Sequence, residues 1–193
     1  MININEFVAK TFDNILSKEE CEYIVNFCNS TSTWKRISNS FWDNRTINYS
    51  NVEDENIKKL ISINFLKIQK LLKDEYNLES NVYTDTIDIV RWFPGMEQLP
   101  HCDDMSDNSD QHIHFKNRYF GSVIYLNDDF SGGITFYPEH NFKIVPKIGT
   151  LAVHLGDGNH RHGVTKIEKS IRYTIASFWS FNKNTAMNGI DWV

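Results

Sequence analysis

The run LPHCDDMSD sets a histidine, His101, two residues ahead of an aspartate, Asp103, in a chain with no glycine-rich phosphate loop. In an extended strand alternate side chains share a face, so this imidazole and carboxylate point the same way, about 7 Å apart at their Cα atoms. Two such groups can meet on one metal ion. A loop histidine beside a solvated acidic run would leave the same trace, because Asp104, Asp107 and Asp110 follow closely. A third ligand has to separate the two readings.

The elements able to hold such a pair follow from the hydrophobic pattern. SKEECEYIVNFCNS opens with Ser17 and carries Glu20 three residues on, a capping box, followed by Cys21, Ile24, Val25 and Cys28 at helical spacing. A second, longer helix is predicted from about Asp54 to Tyr76, with Ile57, Leu60, Ile61, Phe65, Ile68, Leu71 and Leu72 as its apolar stripe. Between them STWKRISNSFWDNRTINYS has no sustained period. It reads as an irregular or partly stranded segment whose two exposed-looking tryptophans, Trp34 and Trp42, flank a site. From Val82 onward short runs of Val, Ile, Tyr, Phe and Thr alternate with turns, which predicts strands at about 82–93, 99–103, 119–126, 133–137, 142–146, 149–155, 159–166 and 171–181. Such a succession of short strands predicts a mainly β fold with N-terminal helices (α+β), a sandwich or jelly roll braced by the two helices. The expected organisation is one domain over 1–193, with a helical part at about 1–80 and a jelly-roll core at about 82–181. The polar stretch from Asp104 to Lys116 is expected to be a loop beside the site.

Composition excludes several classes. Twenty basic against twenty-five acidic residues give a net charge of −5, which argues against a phosphate-binding surface and makes nucleic acid an unexpected partner. Cys21, Cys28 and Cys102 are an odd set in no zinc spacing and read as reduced thiols packed in the core of a cytoplasmic protein. The N-terminal residues show no basic stretch followed by an apolar run, and nowhere do eighteen apolar residues follow one another, so neither secretion nor a membrane association is expected.

The late segment GNHRHGVTKIEKSIRYTIASFW supplies two candidates for the third ligand, His160 and His162. Two histidines and one carboxylate on one face of an ion leave positions open for a chelating co-substrate and dioxygen, whereas a closed set of four would hold zinc structurally. From about Ile87 to Trp179, roughly half the chain, the sequence resembles the 2-oxoglutarate- and Fe(II)-dependent oxygenases, in particular their prolyl 4-hydroxylase branch. The resemblance is carried by VRWFPG, HCD, IYLNDDFSGGITFYPE, VPKIGTLAVH and HGVTKIEKSIRY in that order. The run between the metal ligands is much more specific than the His/Asp pair.

The resemblance implies Fe(II) held by His101, Asp103 and His162. His162 is preferred to His160 because the family's 2-oxoglutarate-binding basic residue lies about ten positions after the distal histidine, and Arg172 lies ten after His162. It implies Arg172 and Tyr125 at the distal carboxylate of 2-oxoglutarate, where a guanidinium can grip both oxygens. Dioxygen would be co-substrate and ascorbate a reductant, and no protein residue would act as general base. Trp34, Trp42, Arg45, Arg91 and His160 are candidates to contact the substrate. His160 shares a face with His162 by strand parity and is expected to line the pocket, support a ligand or replace His162 as one. Phe93 and Gln98 stand where many prolyl hydroxylases have tyrosine, which bears on the prolyl substrate and not on the oxygenase chemistry. The implied reaction is hydroxylation of a prolyl residue in a peptide or protein, with release of succinate and CO2. The alternatives are an oxygenase of the same fold acting on another amino acid, a small molecule or a nucleobase, and a jelly-roll binding module without catalysis.

Overall fold

The computed structural model describes residues 8–104 and 117–193. Twelve strands and two α-helices follow in the order β1 (Ala9–Phe12), α1 (Lys18–Ser30), β2 (Thr46–Asn48), α2 (Glu55–Glu75), β3 (Tyr83–Trp92), β4 (Gln98–His101), β5 (Phe120–Tyr125), β6 (Ser131–Gly132), β7 (Thr135–Tyr137), β8 (Phe142–Ile144), β9 (Leu151–Leu155), β10 (His162–Val164), β11 (Ile167–Lys169) and β12 (Arg172–Ser180). The chain is mainly β, as its pattern of short apolar runs predicts. The expected loop at 104–116 lies outside the described residues beyond Asp104.

Both helices start as their sequences dictate. The Ser17 hydroxyl accepts from the Glu20 amide while the Glu20 carboxylate accepts from the Ser17 amide, which closes the capping box of α1. Asp54 caps α2 by accepting from the amides of Asn56 and Ile57. Among the described residues no helix is long and apolar enough to cross a membrane.

Six strands form one antiparallel sheet in the order β1-β9-β5-β12-β3-β2, and four form a smaller one in the order β4-β10-β7-β8, with β6 and β11 as a separate ladder. Strand parity gives the large sheet two different faces. Ile87 and Ile89 of β3, Phe120 and Ile124 of β5, Leu151 and Val153 of β9, and Tyr173, Ile175 and Trp179 of β12 join the stripes of α1 and α2 in one apolar core. Trp179 stacks on Phe65 of α2, with ring centroids 5.6 Å apart and planes within 10°. The alternate positions, among them Val90, Trp92, Val123, Tyr125, Ala152, His154, Arg172 and Thr174, face a cavity between the two sheets.

Two expectations are corrected. The strand foreseen at 159–166 begins only at His162, because Gly158–His160 is a 3₁₀ turn in which the Asp157 side chain accepts from the Asn159 amide. The strand foreseen at 133–137 begins only at Thr135, as β7, because Gly133 has a φ of 63°, outside the extended range and suited to glycine.

Candidate metal centre

His101 and His162 lie directly opposite each other in the β4/β10 pair, with ring centroids 4.6 Å apart. Asp103 follows β4 by two residues, and one ligand atom from each of the three lies within 4.8 Å of the others. Asp103 and His162 are buried while His101 is partly exposed, so the group is open on the His101 side. Each histidine has its ring fixed by the backbone. Nδ1–H of His101 donates to the Leu99 carbonyl (3.1 Å), and Nδ1–H of His162 donates to the His160 carbonyl (3.1 Å). Each ring therefore turns its Nε2 to the site. The Gln98 amide donates to the lone pair of His101, at 3.2 Å.

The electrostatics favour cation binding. Burial pushes the pKa of His162 down to about 3, so its ring is neutral near pH 7 and its nitrogen free to coordinate. Burial opposes ionisation of Asp103, but the imidazoles of His162, His154 and His101 outweigh it and hold the carboxyl below the usual carboxylate range. Two imidazole nitrogens and one carboxylate form a donor set that suits Fe(II) and leaves coordination positions free.

Arg172 opens β12 opposite Trp92 of β3, on the same cavity as the three ligands. It is 2% exposed, its Nε has no hydrogen-bond partner, and among the described residues no carboxylate pairs with it. Its guanidinium carbon lies 5.3 Å from the Tyr125 ring and 5.4 Å from the Trp92 ring. The Tyr125 hydroxyl sits 2.9 Å from that of Thr135, in a pair where either can donate. A buried cation without a counter-charge is costly, and an anion entering the cavity would satisfy it.

The five candidate substrate contacts separate. Trp42 lines the cavity, edge-on to Trp92 with centroids 5.9 Å apart. Arg45 does not line it. Fully buried, it lies under the rings of Phe41 (4.2 Å), Trp42 (4.8 Å) and Trp92 (4.2 Å) and donates to the carbonyls of Phe41 and Arg91. Trp34 and Arg91 are away from the cavity, which corrects their assignment. Parity turns Arg91 to the helix side of β3, where its guanidinium carbon stacks 3.8 Å from the Trp34 ring. That contact is why Trp34 is 5% exposed and not a surface tryptophan. His160 does not line the cavity, since its Nδ1 lies 2.6 Å from Asp157 and its ring stacks on His140; of its expected roles only support of a ligand remains, through the carbonyl that accepts from Nδ1–H of His162.

Sequence reasoning missed two residues. His154 of β9 lies 2.8 Å from Asp103, and the Tyr137 hydroxyl lies 2.9 Å from His154. Both stand in quoted segments, but LAVHL is buried at all five positions and shows no alternation that would set His154 apart.

No family model matches the chain. A search of curated proteins finds the "putative prolyl 4-hydroxylase" of Acanthamoeba polyphaga mimivirus, 26% identical over an alignment of 161 residues that covers 78% of this chain and 62% of that protein. The chain thus spans less than two thirds of that relative. Among solved structures, the viral collagen prolyl hydroxylase of Paramecium bursaria chlorella virus 1, in complex with 2-oxoglutarate, superposes with a TM-score of 0.71 at 17% identity, over 94% of this chain and 99% of that one. A prolyl hydroxylase of Trichoplax adhaerens, in complex with a peptide fragment of the oxygen degradation domain of hypoxia-inducible factor, gives a TM-score of 0.67 at 16% identity, over 96% and 89% of the two chains. The fold of this chain is therefore the jelly roll of the 2-oxoglutarate- and Fe(II)-dependent oxygenases.

Proposed function

We propose that this chain is a 2-oxoglutarate- and Fe(II)-dependent dioxygenase of the prolyl 4-hydroxylase type. The observation that carries the reading is the buried Arg172 guanidinium, with an unpartnered Nε and no carboxylate beside it among the described residues, in the same cavity as His101, Asp103 and His162. A metal site alone fits many enzymes. A metal site sharing a cavity with a buried cation that no described carboxylate neutralises fits a co-substrate that carries a chelating group at one end and a carboxylate at the other.

In this reading His101, Asp103 and His162 hold Fe(II). Arg172, with the Tyr125 and Thr135 hydroxyls beside it, grips the distal carboxylate of 2-oxoglutarate. Trp92, Val164 and Ala176 line the apolar part of the cavity and exclude water from the reacting groups. Bound iron supplies the oxidation, in which dioxygen and 2-oxoglutarate give succinate and CO2 while one oxygen atom enters a substrate C–H bond. A peptidyl proline is the substrate favoured by the curated relative and by the peptide complex of the Trichoplax protein.

The test is succinate formation from 2-oxoglutarate by purified protein with added Fe(II), in air and under argon, with and without a proline-rich peptide. The expected result is succinate that requires both iron and air and rises with peptide, with one oxygen atom added to a proline. Succinate that forms without the peptide gaining oxygen would leave the oxygenase reading and remove the prolyl one. No iron- and air-dependent succinate would remove both.

A further inference from the structure

The two oxygens of the Asp103 carboxylate have different surroundings. Oδ1 faces the histidine pair, 3.8 Å from Nε2 of His101 and 3.7 Å from Nε2 of His162. Oδ2 is turned away and lies 2.8 Å from Nε2 of His154. His154 is 2% exposed and comes from β9, in the sheet opposite the strands that carry His101 and His162. Its other nitrogen, Nδ1, lies 2.9 Å from the Tyr137 hydroxyl.

The proton positions follow from donor chemistry. An ionised carboxylate only accepts, so Nε2 of His154 donates to it. The Nδ1 of the same ring shares a hydrogen bond with the Tyr137 hydroxyl. The result is a chain of hydrogen bonds linking Tyr137, His154 and Oδ2. Gly121 gives it room: this residue pairs with His154 across β5 and β9, and a Cβ on it would collide with both Oδ2 of Asp103 and Nε2 of His154. With its Nε2 donating to the carboxylate, His154 is not a fourth ligand, although its ring centroid lies 4.0 Å from that of His162.

We propose that His154 is a positioning residue that holds Asp103 in single-oxygen ligation, so that Oδ2 does not take a coordination place needed by the co-substrates. The inference rests on the metal site proposed above. A carboxylate free to turn can bind a cation through one oxygen or both, and the second mode would consume a position. Partners of this kind orient the ligand they touch, and their loss typically costs about 10–100-fold in metal affinity or activity.

The experiment compares wild type with His154→Leu, His154→Gln and His154→Asn. Metal-free protein is titrated anaerobically with Co(II) and with Fe(II), and the charge-transfer absorbance of the Fe(II) complex is recorded on adding 2-oxoglutarate. Melting of the metal-free forms identifies any variant that fails to fold. Glutamine can place an N–H near the position of Nε2, while asparagine places its amide near that of Nδ1, facing Tyr137. The expected result is metal affinity reduced about 10–100-fold in the leucine and asparagine variants, with a weakened charge-transfer band. The glutamine variant should keep both close to wild type. A glutamine variant as weak as the other two overturns the proposal, as do leucine and asparagine variants that bind metal and 2-oxoglutarate like wild type. Should leucine not fold, the contrast between glutamine and asparagine decides. If wild type takes up neither metal, or if uptake survives His162→Ala, the metal-site reading itself falls. If uptake depends on His162 but is indifferent to residue 154, only the role of His154 falls.

Discussion

In the proposed function Arg172 is the residue that selects the co-substrate. Its guanidinium is buried with an unpartnered Nε and no carboxylate beside it among the described residues, and burial lowers its pKa against the opposing effect of Tyr125, so the site bears part of the cost of a buried cation. Replacing it with alanine leaves the distal carboxylate of 2-oxoglutarate buried alone, a loss of about 3–5 kcal/mol. That corresponds to about two to four orders of magnitude in the dissociation constant. Arg172→Lys should recover part of the affinity, because a point charge replaces the fork without reproducing its two parallel bonds. Fe(II) binding should be nearly unchanged in both variants. The readouts are the anaerobic charge-transfer absorbance and a separate iron titration; undiminished 2-oxoglutarate binding by Arg172→Ala would remove the co-substrate assignment. The His101/Asp103 pair could be picked out from sequence because strand parity is a local property, whereas His162 and Arg172 followed from the resemblance to the oxygenase family, whose spacing between the two they match. The partners of Asp103 could not be picked out. His154 and Tyr137 meet it only through the pairing of β9 with β5 and the packing of one sheet on the other, and neither contact leaves a trace along the chain.

The segment between the helices shows where reading by element fails. Rich in Ser, Asn, Trp and Arg, it resembles solvent-exposed loop, yet Trp34 and Arg45 are buried. Arginine is the reason: its planar, weakly hydrated head can lie against aromatic faces, so arginine and tryptophan hide each other. The helices and most strands were legible because caps and apolar periods are short-range, whereas β1 and β2 were not marked by strong runs and form at the two edges of the large sheet. Arg45 ties this segment to the cavity wall through Phe41, Trp42 and Trp92. Burial pushes its pKa down to about 10, and the nearby Arg172 adds to the shift, so two effects oppose the rings and the two carbonyls it serves. Arg45→Met keeps the stem and removes the donors. Leaving the Phe41 and Arg91 carbonyls unsatisfied costs about 1–3 kcal/mol each. The variant should melt lower, by about 2–4 °C for each kcal/mol lost. It should also bind substrate less well because Trp42 loses its support. A variant as stable as wild type in calorimetry would mean that desolvation and repulsion from Arg172 outweigh the contacts.

The helices cover one face of the large sheet and the cavity lies on the other, while His101 and His162 come from strands of the small sheet, so the main core and the candidate metal site share no side chains. Phe65, Trp179, Ile175 and Ile89 belong to the core, whereas His101, Asp103 and His162 do not. Loss of a ligand should therefore empty the site without unfolding the chain, and filling it should stabilise the whole molecule. A ligand that binds only the folded state adds about 2.7 kcal/mol at a hundred times its dissociation constant. For a domain of this size that raises the melting temperature by roughly 5–11 °C. Calorimetry under argon should show such a rise with Fe(II) at that excess, and a further rise when 2-oxoglutarate is added. His162→Ala should remain folded, with a single cooperative transition, and show neither increment. Arg172→Ala should keep the iron increment and lose the second. An iron increment that persists in His162→Ala would place the ion elsewhere. A His162→Ala protein that has lost its cooperative transition would show that the site and the core are not separable.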